Sequence, residues 1–228
     1  MATELIIGLD LDSKSEALNA VTACGACRCF KIGSQLFTRY GPEIVRDVRG
    51  LGKEVFLDLK FHDIPNTVAH AARAAADLGV TLFTVHASGG RKMIEAARNA
   101  VESTPARILA VTILTSFDDA AIREELGLQE TAAEAVPRLA QLAMSAGAHG
   151  VVCSAREIAM VRAAVGPEGL IVTPGIRPAW AGSDDQARVM TPREAAQSGA
   201  NGIVVVRPIL KHPHPAEAVR LILEELNV

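Results

Sequence analysis

Short runs of β-branched and other apolar residues recur along the chain, separated by stretches with the 3.6-residue period of amphipathic helices. The runs predict strands near Leu5–Asp10, Cys29–Gly33, Glu54–Lys60, Thr81–Ala87, Arg107–Thr115, Gly150–Ser154, Leu170–Pro174 and Gly202–Arg207. Between Asn66 and Leu78, Val68, Ala71, Ala72, Ala75 and Leu78 share one helical face, opposite His70, Arg73 and Asp77. The closing segment repeats the pattern, with Val219, Ile222, Leu223 and Leu226 set against Arg220, Glu224 and Glu225. Thr191-Pro192-Arg193-Glu194 reads as a capping box with proline at the first helical position. Glycines at Gly79, Gly147 and Gly199 precede the following strands and suit the left-handed residue that stops a helix.

Apolar strands alternating with helices call for a parallel sheet covered on both faces. Eight such units in 228 residues, with no linker between them, favour closure over an open doubly wound sheet. The expected fold is therefore α/β, a single (β/α)8 TIM barrel domain over residues 1–228. A dinucleotide-binding open sheet would carry a Gly-x-Gly-x-x-Gly turn after its first strand, and here that turn is Asp10-Leu11-Asp12-Ser13.

Composition narrows the function classes. The chain is 49% hydrophobic and 21% charged with a formal net charge of −3, so a general nucleic-acid-binding surface is disfavoured. No apolar run approaches the roughly 20 residues that span a bilayer. The first strand begins at Leu5, which leaves no room for a leader peptide, and a cytoplasmic protein is expected. Cys24, Cys27 and Cys29 lack a second ligand pair at zinc-site spacing, so they read as reduced apolar residues. His212 and His214 are weak metal candidates for the same reason.

Barrel chemistry sits at the carboxyl ends of the strands. Those ends are polar here, with Asp10, Lys31, Asp58, Lys60, His86, Thr115, Ser154 and Arg207. In Phe56-Leu57-Asp58-Leu59-Lys60-Phe61 the alternation puts Asp58 and Lys60 on one face and the apolar residues on the other. Lys31, between Phe30 and Ile32, reads the same way. Buried charges need partners, so these groups and the nearby Asp63 should form a network. Arg177 and Arg207 fall after the seventh and eighth strands, where such barrels often hold phosphate. The long connection from Pro174 to Thr191, which carries Trp180, has the character of a lid. His86 is a further acid–base candidate, weaker than a hydrogen-bonded strand-end histidine.

The run Asp58-Leu59-Lys60-Phe61-His62-Asp63-Ile64-Pro65-Asn66-Thr67 resembles the signature of the orotidine 5′-phosphate decarboxylase family. Supporting matches are Gly8-Leu9-Asp10, Phe30-Lys31-Ile32-Gly33, Val85-His86-Ala87-Ser88-Gly89-Gly90, Leu114-Thr115-Ser116, Pro174-Gly175-Ile176-Arg177 and Val205-Val206-Arg207-Pro208-Ile209. The resemblance implies cofactor-free and metal-free decarboxylation of orotidine 5′-monophosphate to UMP. Its catalytic tetrad would be Lys31, Asp58, Lys60 and Asp63, with Lys60 protonating C6. It also implies a homodimer in which Asp63, Ile64 and Thr67 serve the opposite active site. Asp10 and Lys31 would contact the ribose, Thr115 the pyrimidine, and Gln186, Arg177, Arg207 and the backbone of Val206 the phosphate. One position departs from the family, which usually has glycine where this chain has Val206. A valine amide serves a phosphate if its φ is negative; a positive φ would be costly for a β-branched residue. A metal-dependent sugar-phosphate decarboxylase of the same superfamily is the rival reading, disfavoured because Lys31 stands where those relatives carry a metal-binding glutamate.

Overall fold

The structure, a computed structural model, describes residues 2–181 and 190–226. Eight strands run β1 (Glu4–Gly8), β2 (Cys29–Gly33), β3 (Glu54–Phe61), β4 (Leu82–His86), β5 (Arg107–Val111), β6 (Gly150–Val152), β7 (Leu170–Thr173) and β8 (Gly202–Val205). Each pairs in parallel with the next, and β8 returns to β1, so the predicted barrel closes.

The helices between them are α1 (Lys14–Ala23), α2 (Ser34–Tyr40), α3 (Pro42–Gly50), α4 (Pro65–Asp77), α5 (Gly90–Ala100), α6 (Asp119–Glu124) and α7 (Ala132–Ser145). They continue with α8 (Ile158–Val165), α9 (Pro192–Gln197), α10 (Arg207–Leu210) and α11 (Pro215–Leu226). The one-helix-per-unit reading is too simple, because β2, β5 and β8 are each followed by two helices. The predicted capping box forms at α9, where the Thr191 side chain accepts from the Glu194 amide and Glu194 reaches back to the Thr191 amide. Gly79, Gly147 and Gly199 all adopt positive φ at helix ends. No helix among the described residues is long and apolar enough to cross a membrane.

Strand alternation divides the apolar residues into two groups. Leu5, Ile7, Phe30, Ile32, Leu57, Phe83 and Val85 point outward into the large layer beneath the helices. Ile6, Cys29, Phe56, Leu82, Leu109, Val172 and Val204 point inward and fill the barrel interior. This inner layer is a solid apolar floor, and the next inward positions along the early strands are Gly8, Lys31, Asp58 and Thr84. The switch from apolar to polar inward residues over one pleat creates the site above the floor.

The cysteines belong to this packing. All four are buried and free, and the Cys27 thiol donates weakly to the carbonyls of Leu5 and Cys29. Burial pushes the Cys27 thiol up to about 12, so it stays protonated and behaves as a small core residue.

Candidate active site

Inward-pointing strand ends surround a cavity of about 620 Å³, lined among others by Asp10, Lys31, Asp58, Lys60, Thr115, Arg177, Val206 and Arg207. Four charges run in alternating order along one wall. Lys31 Nζ lies 3.0 Å from Asp10 Oδ1 and 3.8 Å from Asp58 Oδ2, and Lys60 Nζ lies 2.9 Å from both oxygens of Asp58. Lys31 and Asp58 are the two least exposed of the four, which places the best-paired charges deepest. Each is balanced by a neighbour of opposite sign, as partial burial requires.

Two glycines make room for this row. A Cβ on Gly8 would come within 2.6 Å of Val206 Cγ2 and 3.2 Å of Lys31 Cε, and one on Gly33 within 3.2 Å of Lys31 Nζ. Lys31 lies across both strands at van der Waals range, so neither position accommodates a side chain without moving it.

The geometry at Lys60 is irregular. Pairing of β3 with β4 shifts from Leu57↔Phe83 to Phe61↔Val85, so Asp58, Leu59 and Lys60 together face the single residue Thr84. Inside this bulge Lys60 has φ 51°, the only positive φ on a non-glycine residue in the described chain. A left-handed residue with a side chain costs about 1–2 kcal/mol. The Lys60 amide donates to Thr84 Oγ1 at 2.8 Å, and the ammonium straddles Asp58; a hydrogen bond to a charged group contributes roughly 1.5–3 kcal/mol, enough to offset the strain. Thr84 Oγ1 also lies 3.0 Å from Asp58 Oδ1, to which it donates. Thr84 was not among the residues singled out from the sequence. Its signal was a hydroxyl at an inward position of Leu82-Phe83-Thr84-Val85-His86, between apolar outward neighbours.

His86 closes the same strand and faces His62, with ring centroids 5.3 Å apart. Burial, then the charges of His62 and Lys60, hold His86 below the usual histidine range, which favours a neutral ring.

The phosphate candidates follow β7 and β8, beside β1 in the closed barrel. Arg177 is buried at 5% exposure, and its amide donates to Met190 O at 3.0 Å beside the Ile176–Met190 bridge. Arg207 opens α10, directly after Val206, which has φ −125°. The negative φ is the one that lets valine stand here without left-handed strain. Thr115 also lines the cavity, from a loop rather than from a strand, because β5 ends at Val111. Trp180 packs edge-on against His212, ring centroids 5.3 Å apart, and the His214 amide donates to His212 Nδ1 at 3.0 Å. Gln186 and the middle of the proposed lid lie outside the described residues.

Asp63, Ile64 and Thr67 do not join this cavity. Asp63 and Thr67 line a neighbouring groove between the end of β3 and α4, which shares Lys60 with the cavity, Asp63 Oδ1 accepts from the Ile64 amide at 2.6 Å, and Ile64 is 66% exposed. The predicted network within the chain is therefore Asp10, Lys31, Asp58 and Lys60, without Asp63.

A closed parallel barrel with paired charges and two arginines around a pocket at its carboxyl-terminal mouth defines a (β/α)8-barrel enzyme. The family profile described as "Orotidine 5'-phosphate decarboxylase / HUMPS family" matches residues 3–222. The chain belongs to that family. It is 48% identical to the orotidine 5′-phosphate decarboxylase of Heliobacterium modesticaldum over 97% of this chain and 95% of the relative. It is 49% identical to the same enzyme of Syntrophotalea carbinolica, over 98% and 94%. The crystal structure of orotidine 5′-phosphate decarboxylase from Lactobacillus acidophilus superposes with a TM-score of 0.89 at 36% identity, over 99% of this chain and all of that one.

Proposed function

We propose that the whole chain acts as one barrel domain that decarboxylates orotidine 5′-monophosphate to UMP and CO2, without cofactor or metal. The observation that carries this reading is the Lys31–Asp58–Lys60 array at the mouth, in a chain of this family. Breaking the C6–carboxyl bond leaves its electron pair on C6 as CO2 departs. A fixed ammonium near that carbon stabilises the developing charge with little reorganisation. Lys60 then gives a proton to C6, and the resulting amine regains one from solvent. Asp58 holds Lys60 in position and repels the substrate carboxylate, a repulsion relieved when CO2 leaves.

Arg177, Arg207 and the amide of Val206 bind the phosphate, with Gln186 added from the lid. The phosphate is remote from the bond that breaks, so its binding energy is available to close the lid and order the site. Asp10 and Lys31 take the ribose hydroxyls and Thr115 the pyrimidine. The metal-dependent alternative within the family is disfavoured by Lys31, whose ammonium lies between the carboxylates of Asp10 and Asp58 that a divalent cation would need.

The active unit is a homodimer in which Asp63, Ile64 and Thr67 complete the site of the other protomer. Their absence from the lining of their own chain's cavity and the exposure of Ile64 support this. So does the adjoining groove of about 570 Å³ between His62, His86, Phe117 and Leu128, which can seat the partner. The four free cysteines fit a reducing cytoplasm.

Lys60→Ala tests the assignment. The variant is expected to lose turnover of orotidine 5′-monophosphate by at least about a thousandfold, loss of the proton donor and of fixed charge acting together. It should still bind UMP within about tenfold, since the phosphate contacts remain. Substantial turnover by the purified variant would remove Lys60 from the role.

A further inference from the structure

Thr84 is fully buried, and its hydroxyl stands where a regular sheet would place ladder contacts between β3 and β4. The bulge sets three residues of β3 against this one residue. A hydroxyl has one proton to give and lone pairs to accept with. Thr84 uses both functions, accepting from the Lys60 amide at 2.8 Å and donating to Asp58 Oδ1 at 3.0 Å. One side chain is thereby tied to the backbone of Lys60 and to the carboxylate that holds the Lys60 ammonium.

We propose that Thr84 is a positioning residue: its hydroxyl holds the Lys60 backbone in its left-handed conformation and orients Asp58, so that the Lys60 ammonium is aimed before substrate arrives. The role rests on the proposed decarboxylation for its kinetic consequence and on the geometry alone for its structural one. Thr84 lies behind the reacting groups, outside the ring of residues lining the cavity. Its loss therefore acts through Lys60 and Asp58. A displacement of about 1 Å at a reacting group costs up to about a hundredfold in rate.

The test compares Thr84→Val, Thr84→Ser and Thr84→Cys in the full-length protein. Valine keeps the shape and removes both hydrogen bonds, serine keeps the hydroxyl, and cysteine offers only a weak donor and acceptor. Thr84→Val is expected to lower kcat by about 10- to 100-fold with KM and UMP affinity within about threefold. Thr84→Ser should recover most of the rate, and Thr84→Cys, which also stands in if the valine variant does not fold, should lie between. Hydrogen exchange at the Lys60 amide, followed by NMR, should quicken at least about tenfold in the valine and cysteine variants but not in the serine variant.

Wild-type protein that turns over substrate beside an equally fast Thr84→Val, or a serine variant as slow as the valine one, would overturn the role while leaving the decarboxylation standing. Wild-type protein without turnover would overturn the decarboxylation, and the exchange measurement would still decide whether Thr84 holds Lys60. Unchanged exchange in Thr84→Val overturns it.

Discussion

Lys60 joins the proposed proton-donor position to an unfavourable backbone conformation, and the surrounding residues share the cost of keeping it there. Gly8, Gly33 and Thr84 do comparable work around Lys31 and Asp58, by leaving space or by supplying one hydroxyl. Gly8 gives a residue-scale prediction. An added methyl group meets Val206 Cγ2 at 2.6 Å, and β-branched valine has little freedom to turn aside. Gly8→Ala should therefore destabilise the protein by about 1–3 kcal/mol, the usual cost of overpacking. Adding Val206→Ala should restore most of that loss, as read by urea unfolding. A Gly8→Ala protein of unchanged stability would show that the packing around Lys31 is looser than these contacts indicate. Period-two alternation was enough to place Asp58, Lys60 and Lys31 at the mouth. The positive φ of Lys60 was not legible, because lysine has no preference for that conformation and a bulge imposes it from the neighbouring strand. Thr84 was missed for a related reason: a lone threonine in a strand is ordinary until its opposite number is known.

At the scale of elements, strand bodies were legible from apolar runs and helix ends from glycine and the Thr191 capping box. Strand ends were less so. The run Val111-Thr112-Ile113-Leu114-Thr115 keeps strand propensity, yet β5 stops at Val111 because its neighbour β6 offers only Gly150–Val152 to pair with. Parallel pairing, not composition, sets that boundary. His149, at the entry to β6, gives the prediction at this scale. Its Nδ1 accepts from the Ile108 amide at 2.9 Å, tying β5 to β6, and burial, then Arg98 and Arg107, lower its pKa from the usual 6.5. The unfolded chain therefore takes up a proton that the folded chain refuses. Stability attributable to this group is complete above the unfolded value of 6.5 and falls as pH drops from there toward the folded value. Asparagine can keep the acceptor and cannot titrate. His149→Asn should flatten the loss of unfolding free energy between about pH 8 and pH 5, leaving the part due to His86, whose pKa burial also lowers. A slope identical to that of the unsubstituted protein would remove His149 from the effect.

For the whole molecule, the distribution of charge matters more than its sum. The formal net charge is −3, while Asp10, Lys31, Asp58 and Lys60 cancel one another at one end of the barrel and Arg177 and Arg207 line the same cavity. Asp63, the remaining aspartate of the proposed tetrad, does not line this cavity, so the proposed mechanism depends on the proposed dimer. Lys60→Ala and Asp63→Ala, each nearly inactive alone, should regain about a quarter of the native activity when their subunits are exchanged by mild unfolding and refolding. Half of the reassembled dimers then contain one chain of each kind, and one of the two sites in each of these has both residues. No recovery, with mixed dimers demonstrated, would place Asp63 in its own chain's site.

In the proposed reaction, fixed charge alone removes CO2 from orotidine 5′-monophosphate at this barrel mouth. The most direct measurement is the ultraviolet absorbance of that nucleotide, mixed with micromolar purified protein in excess EDTA. Complete conversion to the UMP spectrum is expected, with one CO2 released per nucleotide, at a rate EDTA does not change. An unchanged spectrum, or turnover that EDTA abolishes and a divalent cation restores, would contradict it.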